Sequence, residues 1–126
     1  MSKMLLVEDN KLSQKMMFYT LRNIGVQADM ADDGKMAVEK AIANGYDVIL
    51  MDIMMPELNG YEATQKIREY EKSSNTKRSF IIGLTSNVYD SERAKCIEAG
   101  MDEYLPKPFD ADSFIEMVRH YKVMDL

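Results

Sequence analysis

Four apolar residues followed by a carboxylate, Val48-Ile49-Leu50-Met51-Asp52, constrain this chain more than any other segment. A short unbroken apolar run suits a strand buried on both faces, as in a parallel sheet. A buried strand that ends on an acid is costly unless something pairs with that charge. The pattern recurs along the chain. Met4-Leu5-Leu6-Val7 ends on Glu8 and Asp9, Phe80-Ile81-Ile82-Gly83-Leu84 ends on Thr85-Ser86, and Asp102-Glu103-Tyr104-Leu105 leads into Pro106-Lys107-Pro108. In parallel strands these polar ends meet at one edge, and open parallel sheets bind ligands outside the carboxyl ends of their strands. That edge is the predicted site.

Helical patterns fill the intervals. Met16, Met17, Thr20, Leu21 and Ile24 mark one face of a first helix, which Gly25 stops, and Val26 to Ala31 reads as a strand. A second helix opens at Asp33-Gly34, turns Ala37, Val38, Ala41 and Ile42 inward and closes at Gly45. A third runs from about Tyr61 to Tyr70, after a loop around Asn59-Gly60, and the polar stretch Glu71 to Ser79 reads as a mobile surface loop. Asp90 is placed as the N-cap of a fourth helix that Gly100 ends, and Asp110 as the cap of a last helix carrying Phe114, Ile115, Met117 and Val118. Five strand–helix units in this order predict an α/β fold, a parallel sheet covered on both faces, in one domain over residues 1–126.

Composition narrows the function. With 126 residues, 46% hydrophobic and 29% charged, the chain can bury one real core. A net charge of −5, with no basic run longer than Lys77-Arg78, argues against direct nucleic-acid binding. No apolar stretch has membrane-spanning length and no signal peptide opens the chain, so a cytoplasmic protein without membrane insertion is expected. Cys96 is alone and reads as a small buried apolar residue, and His120 as a surface residue. The twelve methionines, Met16, Met17, Met36, Met51 and Met117 among them, read as core filling.

Three carboxylates and one lysine converge at the strand ends: Glu8, Asp9, Asp52 and Lys107. Like charges packed together resist ionisation, and a divalent cation would cancel the excess. Oxygen donors without His or Cys favour Mg2+, which keeps several waters and suits a phosphoryl ligand. Lys107 and the Thr85 hydroxyl could then hold phosphoryl oxygens.

The motifs Leu6-Val7-Glu8-Asp9-Asn10, Met51-Asp52-Ile53-Met54-Met55-Pro56 with Asn59-Gly60, Thr85-Ser86 and Tyr104-Leu105-Pro106-Lys107-Pro108-Phe109 occur in that order at the strand ends. In them the chain resembles the response-regulator receiver domains of two-component signalling, across essentially its whole length. The resemblance implies a flavodoxin-like (βα)5 doubly wound sheet of strand order 2-1-3-4-5. It implies Asp52 as phospho-acceptor, Mg2+ held by Glu8, Asp9, Asp52 and the Met54 backbone carbonyl, and Lys107 on the phosphoryl group with a cis bond to Pro108. Thr85 and Tyr104 match the switch pair of the family. The implied donor is a histidine kinase or histidine phosphotransfer protein, and the implied output is a downstream protein bound at the fourth helix, fifth strand and fifth helix, with room for a phosphorylation-dependent dimer.

On this reading the chain is a signalling receiver rather than an enzyme, and it carries no output domain. Glu8 stands where many members carry Asp, and Ser86 where Ala or Gly is usual; the segment before Phe80 is a few residues longer. Asn10 with Gln14 is similar to receivers of hybrid histidine kinases. Met54, two residues after the acceptor, is expected to hinder hydrolysing water and lengthen the phosphate lifetime, with Asn87 opposing it. The rival reading, a Mg2+-dependent phosphohydrolase with an aspartyl nucleophile, needs a second Asp where Met54 stands. A flavin-binding protein needs a phosphate loop without Glu8-Asp9.

Overall fold

A computed structural model describes residues 3–86 and 90–126. Ten elements alternate along the chain: β1 (Met4–Val7), α1 (Lys11–Asn23), β2 (Ala28–Ala31), α2 (Gly34–Asn44), β3 (Val48–Asp52), α3 (Gly60–Ser74), β4 (Phe80–Thr85), α4 (Asp90–Ala99), β5 (Glu103–Pro106) and α5 (Ala111–His120). The strands form one parallel sheet in the order β2-β1-β3-β4-β5. This is the expected flavodoxin-like (βα)5 arrangement.

The continuous apolar runs are explained by two cores. Because side chains alternate across a strand, Leu5, Val7, Ile49, Met51 and Ile81 point to one face, where Ala37, Ala63, Ile67 and Cys96 of α2, α3 and α4 cover them. Met4, Leu6, Val48, Leu50, Ile82 and Leu84 point to the other, against Met17 and Leu21 of α1 and Phe114 and Val118 of α5. Cys96 is wholly buried as expected, and burial pushes its thiol up to about 11, so it is inert as a nucleophile.

Local signals set the helix ends. Asn10, Asp33, Asn59 and Asp110 each accept a hydrogen bond from a backbone N–H of the first turn, and Asn59 with Glu62 completes a capping box. Gly25, Gly45 and Gly100 follow helices with positive φ. Three sequence expectations need correction. Met16 and Ile42 are 52% and 42% exposed, because each lies at the edge of its helix's inward stripe. Asp90 is the first residue of α4 rather than its cap.

The third correction concerns Glu71 to Ser79. The helix α3 continues to Ser74, stopped by Asn75 in the left-handed conformation, and the remainder is fastened. Arg68 Nε donates to Gly100 O at 2.8 Å, one terminal nitrogen donates to Glu71 at 2.7 Å and Ser79 O at 2.8 Å, and the other to Asp102 at 2.8 Å. Asp102 also accepts from Ile81 N at 2.8 Å and from Arg78 at 2.6 Å, while Glu71 accepts from Ser79 N at 2.8 Å. This clasp ties the end of α3 to the starts of β4 and β5, so the segment is a strap and not a loose loop.

Candidate functional site

The opposite end of the sheet gathers the acids. Glu8 and Asp9 follow β1, Asp52 is the last residue of β3, Thr85 is the last of β4, and Lys107 follows β5. Parallel register places these ends side by side, with Ile53 N donating to Leu84 O at 3.1 Å and Lys107 N to Thr85 O at 2.8 Å. Glycine is required at the start of α3: a Cβ on Gly60 would lie 2.3 Å from the Asp52 carbonyl oxygen. That close approach lets Gly60 N donate to Ile53 O at 2.9 Å, fastening α3 to the end of the Asp52 strand.

Burial here is severe. Glu8 is wholly buried and Asp52 is 2% exposed, whereas Asp9 is half-buried. One carboxylate oxygen from each of the three lies within 4.8 Å of the others. Lys107 Nζ sits between two of them, 2.8 Å from Glu8 Oε1 and 3.3 Å from Asp52 Oδ2. The Glu8 contact is an ion pair without hydrogen-bond alignment, so among the described residues Oε1 keeps an unused acceptor site. The other Glu8 oxygen accepts from Asn10 N at 3.0 Å, and Asp52 Oδ1 accepts from Met54 N at 3.3 Å.

The electrostatics follow from this crowding. Burial, then the neighbouring Glu8 carboxylate, pushes the Asp52 carboxyl up to about 7, with Lys107 opposing. For Lys107, burial works against the ammonium, but the contacts with Glu8 and Asp52 outweigh it and hold the pKa above its ordinary value. Buried carboxylates outnumbering their cation, all-oxygen donors and an unused buried acceptor make a set that a hard divalent cation fits.

Thr85 is buried at the end of β4, and Tyr104 is half-buried on β5, where its ring packs against the α2–α4 core. The Lys107–Pro108 bond is cis. Met54 is 74% exposed. Asn87 lies outside the described residues. His120 is exposed near the end of α5. Sequence reasoning missed Gln14 as part of the site: it is buried on α1 and donates to the backbone carbonyl of Glu8. A polar residue one turn before Met17, on the inward stripe of α1, was the available signal.

An open, doubly wound sheet with clustered acids and a lysine at its carboxyl edge defines a flavodoxin-like α/β protein whose site could take a divalent cation. A sequence model of the response regulator receiver domain matches residues 4–119, and the chain belongs to that family. Among its relatives, hybrid signal transduction histidine kinase B of Dictyostelium discoideum is 40% identical over 128 residues, covering 94% of this chain. The match spans only 6% of that kinase's length. The receiver domain of sensor histidine kinase PA1611 from Pseudomonas aeruginosa PAO1, solved with a magnesium ion in its active-site cleft, superposes with a TM-score of 0.83 at 38% identity, over 95% of this chain and 96% of that one. A complex of the Saccharomyces cerevisiae histidine phosphotransfer protein Ypd1 with the receiver domain of Ssk1 matches with a TM-score of 0.87 at 27% identity, covering 95% of this chain and 89% of that one. The family and its two-component setting are therefore established. Among the described residues, no helix is long and apolar enough to cross a membrane.

Proposed function

We propose that residues 1–126 act as one receiver unit that accepts a phosphoryl group on Asp52 from a phosphohistidine of a kinase or phosphotransfer protein. The observation that carries this reading is the placement of Asp52: a 2% exposed carboxylate at a strand end, 3.3 Å from Lys107 and grouped with Glu8 and Asp9. Glu8, Asp9, Asp52 and the Met54 backbone carbonyl would hold Mg2+. When bound, the ion supplies positive charge that keeps Asp52 ionised and balances the transferred group. An oxygen of Asp52 forms the new bond to phosphorus while the phosphorus–nitrogen bond to histidine breaks, and the imidazole leaves with that electron pair and takes up a proton. Lys107 neutralises a phosphoryl oxygen, and Thr85 hydrogen-bonds another.

Thr85 and Tyr104 form the switch. They lie on neighbouring strands, Thr85 at the end of β4 and Tyr104 two residues before Pro106, the register partner of Thr85, so a hydroxyl drawn toward the phosphoryl group vacates space on the side of the half-buried ring of Tyr104. The readout surface is α4, β5 and α5, for a downstream protein. The exposed, apolar Met54 favours the receiver over a phosphohydrolase, since it cannot move a proton.

The test is incubation with acetyl phosphate and Mg2+, read by intact mass. Wild type gains one phosphoryl group, and Asp52→Asn, nearly isosteric but not nucleophilic, gains none while keeping its fold. Equal labelling of the two proteins overturns the assignment.

A further inference from the structure

Gln14 is 6% exposed although it carries an amide, and it lies on the inward stripe of α1 one turn before Met17. A buried amide needs partners, and Gln14 Nε2 has two. It donates to the backbone carbonyl of Glu8 at 3.1 Å and to Asp32 Oδ1 at 2.9 Å. Both amide hydrogens are thereby spent, one at the end of β1 and the other on the loop after β2. Asp32 is itself held: its Oδ1 pairs with Lys11 Nζ at 2.9 Å, and the bond from Gln14 is the first cause of its lowered pKa.

The pairing of β1 with its neighbours runs from Met4 to Val7. The peptide of Glu8 is then gripped at two points. Its N–H donates to Ala31 O at 3.1 Å, and its carbonyl accepts from Gln14. The directions of the Glu8 and Asp9 side chains follow from how that one stretch of backbone is held. An apolar residue of the same shape would remove the second of those two holds.

We infer that Gln14 is a positioning residue for the metal site: it fixes the backbone from which Glu8 and Asp9 project, and Asp32 fixes Gln14. The inference rests on the reading of Glu8, Asp9 and Asp52 as Mg2+ ligands. Groups that hold ligands in place commonly change metal affinity by tenfold or more without touching the ion.

The experiment is a Mg2+ titration of the whole chain, followed by thermal unfolding and by backbone amide shifts. Gln14→Met should weaken Mg2+ binding about tenfold with little change in the metal-free melting temperature. Asp32→Ala should weaken it less, and Asp32→Asn, which keeps an oxygen acceptor, should bind like wild type. A merely structural Gln14 would lower the metal-free melting temperature and leave the Mg2+ Kd unchanged, and that result overturns the inference. Should Gln14→Met not fold, the Asp32 pair decides: equal Kd values for Ala and Asn overturn it. Asp9→Asn is the control on the underlying reading. If its Mg2+ response equals that of wild type, the ligand assignment is what fails, and the inference falls with it.

Discussion

The two ends of the sheet each carry buried charge, assembled from the same kinds of side chain, and they are balanced in opposite ways. At the start of β4 and β5, Arg68 and Arg78 face Glu71 and Asp102, so cations equal anions and every nitrogen of the Arg68 guanidinium finds an acceptor. At the carboxyl edge, among the described residues, Glu8, Asp9 and Asp52 face Lys107 as their one cation, and Glu8 Oε1 lacks an aligned hydrogen bond. Neutral and saturated charge holds a fold together, because removing either partner strands the other. Charge in excess, left unsaturated, costs stability and is affordable only where a ligand completes it. The difference separates a structural cluster from a working one without reference to any motif.

The largest expected effect breaks the saturated end. Arg68→Ala should lose about 3 kcal/mol in urea unfolding, since it leaves Glu71 without its cation, Asp102 with the more exposed Arg78 alone, and the carbonyls of Ser79 and Gly100 without their donor. Asp52→Asn, at the other end, should raise metal-free stability by about 1 kcal/mol by relieving like-charge crowding. A tolerant Arg68 or a destabilised Asp52→Asn would remove the contrast between the ends.

Next comes the response to metal. Mg2+ at ~100 times its Kd should stabilise wild type by roughly 2.7 kcal/mol. Asp9→Asn should shrink that gain, while Arg68→Ala should keep it from a lower starting point. A gain that Asp9→Asn leaves intact would place the ion elsewhere.

The ends should also titrate with opposite sign in EDTA. Asp52 carries a folded pKa of about 7 against an ordinary value of 3.8, so the folded chain holds more protons than the unfolded one between those values. Its contribution to stability therefore falls as pH rises from about 4 to 7. Asp47, at the far end, has its pKa lowered by Lys77 and by the Lys3 N–H, so it contributes above the ordinary value and loses that contribution as pH falls through its folded pKa. From about pH 4 to 7 Asp52→Asn should gain stability relative to wild type, whereas Asp47→Asn should stay a constant step below wild type there and converge on it only as pH falls below about 4. An Asp52→Asn curve parallel to wild type from about pH 4 to 7, or an Asp47→Asn curve that does not converge below about pH 4, would refute the corresponding charge balance.

The smallest effect concerns kinetics alone. Met54→Asn should shorten the aspartyl phosphate lifetime a few-fold, by offering water a hydrogen-bonding group near the acceptor, with an unchanged melting temperature. The measurement is loss of label from the phosphoprotein with Mg2+. Decay no faster than wild type would show that the exposed Met54 does not control the approach of water.

Much of the carboxyl edge was readable because its signals are local. Each acid, hydroxyl or lysine directly follows an apolar run, and pairing of the runs brings those ends together with no further information. The clasp was not readable. Arg68 reaches Gly100 and Asp102, more than thirty residues away in the chain, and periodicity reports which face of a helix is apolar, not which carbonyl a guanidinium will find. For the same reason Glu71 to Ser79 looked like a loop: residues 72–78 are exposed and polar, and the bonds that fasten the segment run from its two ends, Glu71 and Ser79, and from Lys77 and Arg78 to distant acids. Gln14 lay between these cases, visible as a polar break in an apolar stripe but without a hint of its two partners. Met16 and Ile42 were misplaced because a stripe has edges, and sequence spacing does not say how wide the covered band is.

Gly60 has a consequence for how such a chain can change over generations. Its missing side chain is what allows α3 to lie against the carbonyl of Asp52, where any Cβ would meet an oxygen at 2.3 Å. A mutational scan scored by signalling output would therefore rank Gly60 alongside the charged residues, although no atom of it can reach phosphorus. Drift at that position is closed off by steric exclusion rather than by chemistry. An inventory of intolerant sites would mix the two causes, and only a probe of shape, such as the backbone amide shifts of Asp52 and Ile53 in Gly60→Ala, would sort them.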